Sequence, residues 1–230
     1  MNRIEHILRF YQILGLLEQR LGGKMILNAC NGRMNWPKRG VYFFLEHGEE
    51  RSTSGQGLRV VRVGTHAVST GSRTTLWQRL STHRGTIKGG GGNHRGSVFR
   101  EIVGSAIAAQ RPSLACSTWG QGKSAPKDVR LSEHSLEEEV SRCVRAMPFL
   151  WIEAGDEPSK DSVRGYIERN SISLISNWKK KEIDPASPSW LGRSCGSEKV
   201  RSSGLWNSKF VEKDYDPRFL DILEKFTFGM

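Results

Sequence analysis

The sequence predicts an α/β (α+β) fold in which a small three-stranded antiparallel sheet is flanked by helices, and three observations lead there. Gly40-Val41-Tyr42-Phe43-Phe44-Leu45 and Leu58-Arg59-Val60-Val61-Arg62-Val63-Gly64 are short runs rich in β-branched and aromatic residues on either side of a Ser/Gly-rich stretch, the pattern of a hairpin with a long loop. A third such run, Phe149-Leu150-Trp151-Ile152, follows much later in the chain. Elsewhere, apolar residues recur at helical spacing.

Taken in order, Ile4, Ile7, Leu8, Tyr11, Leu14 and Leu17 define one buried face of an N-terminal docking helix that Gly22-Gly23 ends. After the hairpin, Thr74 or Thr75 caps a helix through Leu76, Trp77, Leu80 and His83, stopped by Gly85. Gly89 to Gly92 is a connector, and a second helix covers Val98 to Ala109. Pro112 to Arg130 shows no period and reads as a long surface loop. Ser135 and Glu138 have the spacing of a capping box for an amphipathic helix through Leu136, Val140, Cys143, Val144 and Met147. Asp161 or Ser162 then caps a helix reaching about Trp178, and Pro217 opens a last short helix near Phe219 to Phe226 in a loop-rich tail. The expected organisation is an N-terminal helix and linker over 1–36, a core over 37–180 with an insertion near 110–132, and a C-terminal extension over 181–230 packed on the core.

Composition narrows the partners. With 35 Lys and Arg against 24 Asp and Glu, the formal charge is +11, which favours polyanions such as nucleic acid or acidic membranes. No run of about eighteen uncharged apolar residues is present, which excludes an ordinary transmembrane helix. Glu5, His6 and Arg9 interrupt the first apolar stretch, so it is not read as a signal peptide. Four scattered cysteines form no zinc-type cluster and fit reduced thiols in a cytoplasm. Gly122-Lys123-Ser124 ends like a P-loop, but Ser117 stands where its first glycine belongs.

The chemistry sits in four places: a tyrosine in the first strand, a glycine closing the second, Arg79 and His83 one turn apart on a helix, and Glu168 on a later helix. Phosphodiester hydrolysis needs an activated water, a group stabilising the anionic phosphorane and a charge sink for the leaving oxygen. A guanidinium such as Arg79 donates two parallel hydrogen bonds to phosphate oxygens. His83 shares its helix face and can reach the same phosphate. The plain structural alternatives are Tyr42 packed on Phe44, Arg79 as an exposed helix arginine, His83 on the final helix carbonyls, and Glu168 paired with Arg164.

This order of elements, with Gly40-Val41-Tyr42 as first motif and Arg62-Val63-Gly64 as second, resembles the GIY-YIG nuclease superfamily over about Gly40 to Asn177. Pro112 to Arg145 has no counterpart in it. The segments GVYFF, VVRVGTH, TTLWQRLSTHRG, GNHRGSVFR and IERNSISLISN look like a group of bacterial GIY-YIG proteins of restriction-endonuclease-like type. The resemblance implies a metal-dependent endonuclease hydrolysing phosphodiester bonds in double-stranded DNA, with a restriction or defence role. Tyr42, Arg62, Arg79, His83 and Glu168 would be its catalytic residues. Tyr42 would activate water, for which a phenol, ordinarily titrating near about 10, needs nearby positive charge. Glu168 would be the one protein ligand of Mg²⁺ or Mn²⁺. Arg62 departs from the pattern, standing where the second motif has tyrosine.

His66 rivals His83, and either Asn170 or Asn177 can supply a late asparagine contact. Arg84, Lys88, Arg95 and Arg100 are expected to neutralise DNA phosphates, with His94 nearby. Cutting both strands favours a homodimer. The other readings are a catalytically degenerate DNA-binding module and an RNA-directed nuclease.

Overall fold

A computed structural model describes residues 2–229. Asn2 opens the first helix, α1 (Arg3–Leu21), with a reciprocal capping box to Glu5, and Gly22 closes it in the left-handed conformation. Two residues, β1 (Met25–Ile26), add a short strand that the sequence did not suggest. The hairpin follows as β2 (Gly40–Glu50) and β3 (Leu58–Thr65), then α2 (Leu76–Arg84) and α3 (Val98–Gln110). Next come α4 (Lys127–Ser132), α5 (His134–Ala146), β4 (Pro148–Glu153) and α6 (Val163–Ile175). The tail carries α7 (Glu198–Ser203) and α8 (Phe219–Phe228). No helix among the described residues is long and apolar enough to cross a membrane.

Among the described residues the sheet is antiparallel throughout and has four strands in the order β1-β4-β2-β3, one more than expected because β1 pairs with β4. Strand alternation splits the core into two layers. Tyr42, Phe44 and Phe149 face a cluster built with Leu80 of α2, Phe99 of α3 and Val140 of α5. Val41, Phe43 and Leu150 face the opposite cluster, where Phe10 of α1, Ile167 of α6 and Phe219 of α8 meet.

At β3, the outer edge strand, the tail replaces a fifth strand. A bulge beside Phe44 leaves Val61 as an extra residue between Arg62 and Val60. Its carbonyl accepts the Trp206 amide at 2.7 Å. The Asn207 side chain accepts from Val63 N at 3.1 Å and donates to Val63 O at 2.9 Å, copying a strand partner. The edge is thereby closed with backbone hydrogen bonds satisfied.

Three local expectations change. The Ser135–Glu138 capping box does not form. The helix instead starts at His134 behind Glu133, whose carboxylate is turned away to Arg95 and Thr118. The segment expected as a loop from Pro112 to Arg130 runs into α4, and Trp119 anchors it by donating to Glu101 O at 3.0 Å and stacking on His94 at 3.9 Å. The helix expected to reach Trp178 stops at Ile175, where Ser176 Oγ donates instead to Val211 O at 2.7 Å.

Candidate active site

Thr75 caps α2 through a box with Gln78, and this sets the phase that turns Leu76, Leu80 and His83 inward. The same phase carries Arg79 to the edge of the sheet. His83 is wholly buried beneath Tyr42, its Nε2 2.8 Å from the phenol oxygen and its Nδ1 2.7 Å from Ser97 Oγ. Ser97 also caps α3, accepting from Arg100 N. Burial first, and then the charges of Arg79, Arg62 and Arg100, push the His83 pKa well below its ordinary value, so the imidazole is neutral.

Register brings the two strand motifs together: Tyr42 lies opposite Gly64, and Phe44 opposite Arg62. Arg62 therefore shares a sheet face with Tyr42. Its guanidinium donates to Trp206 O, lies 4.6 Å from the centre of the Phe99 ring, and leaves Nε without a hydrogen-bond partner among the described residues. Burial lowers its pKa, and Tyr42 and Glu168 act against that.

Ser162 caps α6, with Gly165 N donating to its hydroxyl, and Glu168 faces the end of β3. Its Oε1 accepts from Thr65 N at 3.1 Å. Burial raises the pKa of this carboxyl, while Arg62, the Thr65 N–H, Arg79 and Lys209 favour the charged form. Arg79 donates to Gly96 O at 3.1 Å, and its Nε has no hydrogen-bond partner among the described residues. Arg62, Thr65, Arg79, Glu168, Asn207 and Lys209 line one cleft of about 280 Å³ at the β3 edge. Tyr42 and His83 lie behind this wall, in the core.

Glu168 does not pair with Arg164, which is buried on Asp156 at 2.8 Å. His66 lies outside the cleft with Nε2 3.3 Å from Lys38 O, and burial brings its pKa down to about 4. It is His83 that meets the tyrosine. Asn170 and Asn177 are both engaged elsewhere: Asn170 accepts from Asp216 N at 2.8 Å, and Asn177 bonds Ile183 N and O at 3.0 Å and accepts from Arg3 at 3.1 Å. The asparagine in the cleft is Asn207. Neither it nor Lys209 was singled out from the sequence, because the tail has no periodicity to mark it.

Among the expected DNA contacts, Lys88 is exposed on the glycine-rich turn. Arg84 stacks on Trp77 at 4.8 Å, donates to Cys30 O at 2.6 Å and lines a separate groove past the end of α2. Arg95 and Arg100 correct the expectation. Arg95 is locked fork to fork on Glu133 at 2.6 and 2.8 Å. Arg100 is fully buried on Glu137 and also donates to His83 O at 2.9 Å. Both charges are spent inside the fold. The carboxylates that hold them come from α5 and its approach, too far along the chain for local spacing to reveal.

The chain matches a family model described as the GIY-YIG domain over residues 1–228. No curated protein and no solved structure matches it.

Proposed function

This chain belongs to the GIY-YIG domain family, an endonuclease family, and on that premise we propose that it hydrolyses phosphodiester bonds in DNA as a metal-dependent restriction or defence nuclease. The observation that carries the proposal is the 2.8 Å hydrogen bond between Tyr42 and a neutral His83, set directly behind a cleft that holds Arg62, Arg79 and Glu168.

In this reading the Tyr42 oxygen, which is buried until Arg62 and Arg79 shift onto a bound phosphate, takes a proton from a water in the cleft as the phenol proton passes to His83 Nε2. The water oxygen forms the new bond to phosphorus, and the bond to the leaving oxygen breaks with its electron pair. That oxygen takes a proton from solvent in the cleft. Arg79, on the α2 wall, bonds the equatorial phosphorane oxygens, and Arg62 keeps positive charge beside the phenol. Burial and then three neighbouring arginines disfavour the imidazolium. A bound phosphodiester anion offsets them, so proton acceptance by His83 is coupled to substrate binding.

The donor set fits one hard divalent cation. Glu168 offers a carboxylate with one oxygen on Thr65 N, and no group of three His, Cys, Asp or Glu side chains gathers among the described residues. Mg²⁺ or Mn²⁺ would then rest on Glu168 with most of its waters kept. When bound, it would neutralise phosphate charge. Duplex cutting would use a homodimer, because each strand needs its own in-line geometry.

Arg62 in the place of the second-motif tyrosine favours one rival, a DNA-binding module without cutting. The test is cleavage of supercoiled plasmid, single-stranded DNA and RNA with Mg²⁺ or Mn²⁺ by the natural protein and by folded Tyr42→Phe and Glu168→Ala variants. Metal-dependent DNA cutting lost in both variants supports the proposal. Salt-sensitive binding by all three without cutting supports the rival, and cutting confined to RNA changes the substrate.

A further inference from the structure

The cleft is walled on one side by a segment far from both strand motifs. Trp206 and Asn207 are zipped to the β3 edge, and Trp206 O holds the Arg62 guanidinium. Immediately after them, Ser208, Lys209 and Phe210 line the cleft. Phe210 adopts φ +66°, a left-handed conformation that is uncommon for a bulky residue and persists only where surroundings impose it. Here they do: Ser173 Oγ donates to Phe210 O at 2.9 Å and Ser176 Oγ donates to Val211 O at 2.7 Å. Both serines belong to α6 or its C-terminal cap, so the helix that carries Glu168 also fixes the turn that presents Lys209.

The three cations of the cleft are unequally committed. Arg62 is held by Trp206 O and the Phe99 ring, and Arg79 by Gly96 O. Lys209 is exposed, makes no hydrogen bond or ion pair among the described residues, and feels the Glu168 carboxylate through space. Its ammonium therefore keeps its donors for an anion.

We infer that Lys209 binds a phosphate of the strand being cut, so that the segment 206–210 is an integral wall of the substrate cleft. This deepens the proposed nuclease function and rests on it. A rim ammonium acts as a compact point charge and contributes mainly to ground-state binding, whereas Arg62 and Arg79 are the cleft cations whose charge reaches His83.

The experiment compares the natural protein with Lys209→Ala, Lys209→Arg and, as a control on another face, Lys225→Ala. It measures kcat and KM on a plasmid substrate, and the salt dependence of binding to a short DNA duplex in a Glu168→Ala background. Lys209→Ala is expected to raise KM roughly five- to tenfold at low salt with kcat within about twofold. The slope of log binding constant against log salt should fall by about 0.9, one phosphate contact. Lys209→Arg should restore both, and Lys225→Ala should change neither. If the natural protein cuts and Lys209→Ala shares its KM and salt slope, or loses kcat alone, the inference is overturned and the nuclease reading stands. If the natural protein neither cuts nor binds DNA, both fall.

Discussion

Gly64 lies across the β2–β3 ladder from Tyr42, and the phenol fills the space a side chain would need: a Cβ built on Gly64 would stand 2.3 Å from the Tyr42 oxygen and 2.5 Å from its Cζ. The second strand motif thus ends in glycine because the tyrosine of the first lies over it. Gly64→Ala should displace the phenol from His83. We expect a loss of about 1–3 kcal/mol in urea unfolding, typical of overpacking, together with at least tenfold slower cutting. Natural stability and rate in this variant would contradict the close approach.

Glu137 accepts from Arg100, from His94 Nδ1 at 2.9 Å and from the His94 amide, all in the core. Glu137→Ala leaves the Arg100 guanidinium buried without its counter-charge, and should cost about 3–5 kcal/mol. Urea denaturation followed by tryptophan fluorescence would measure it. A change under about 1 kcal/mol would mean that Arg100 is free to face solvent, as the sequence alone suggests.

His66 and His83, with His6 shifted in the same direction, contribute a pH dependence. Below about 6.5 the unfolded chain binds protons at His66 and His83, while in the fold His66 waits until about 4 and burial holds the His83 pKa well below its ordinary value. Their contribution is fully present above about pH 6.5 and declines as pH falls, by up to about 1.4 kcal/mol per pH unit for each residue. Glu46 and Glu168, whose pKa values burial raises, work in the opposite direction. Unfolding free energies at several pH values between 7.5 and 4.5 should decline, and His66→Gln should flatten the decline. An equal slope in that variant would contradict the assignment.

Asn207→Leu removes both hydrogen bonds to Val63 while keeping bulk at the edge. The expected cost is about 1–3 kcal/mol, with amide exchange at Val63 accelerated in the native state. Unchanged protection at Val63 would show that the tail does not hold this strand.

The strands with Tyr42 and Arg62, the capped helix with Arg79 and His83, and the helix with Glu168 were legible in the sequence. Each is encoded locally, by alternation in the strands and by Thr75 or Ser162 at a helix start. What escaped depends on long-range partners. Trp206 and Arg62 are separated by 144 residues and Arg100 and Glu137 by 37, and no spacing rule reports such pairs. Arg95 and Arg100 read as a basic surface because their acids lie elsewhere in the chain. Met25–Ile26 is too short to show a strand period, and Lys209 sits in a segment with none.

The tail's hold on β3 also sets an order of events during synthesis. Tyr42, Arg62 and Arg79 leave the ribosome before Trp206, so a nascent chain exposes a bare strand edge and an untethered Arg62 until Trp206 and Asn207 have emerged. On the proposed reading, a ribosome-bound fragment would be inert toward the DNA around it, and competence to cut would arrive only with the residues that close the sheet.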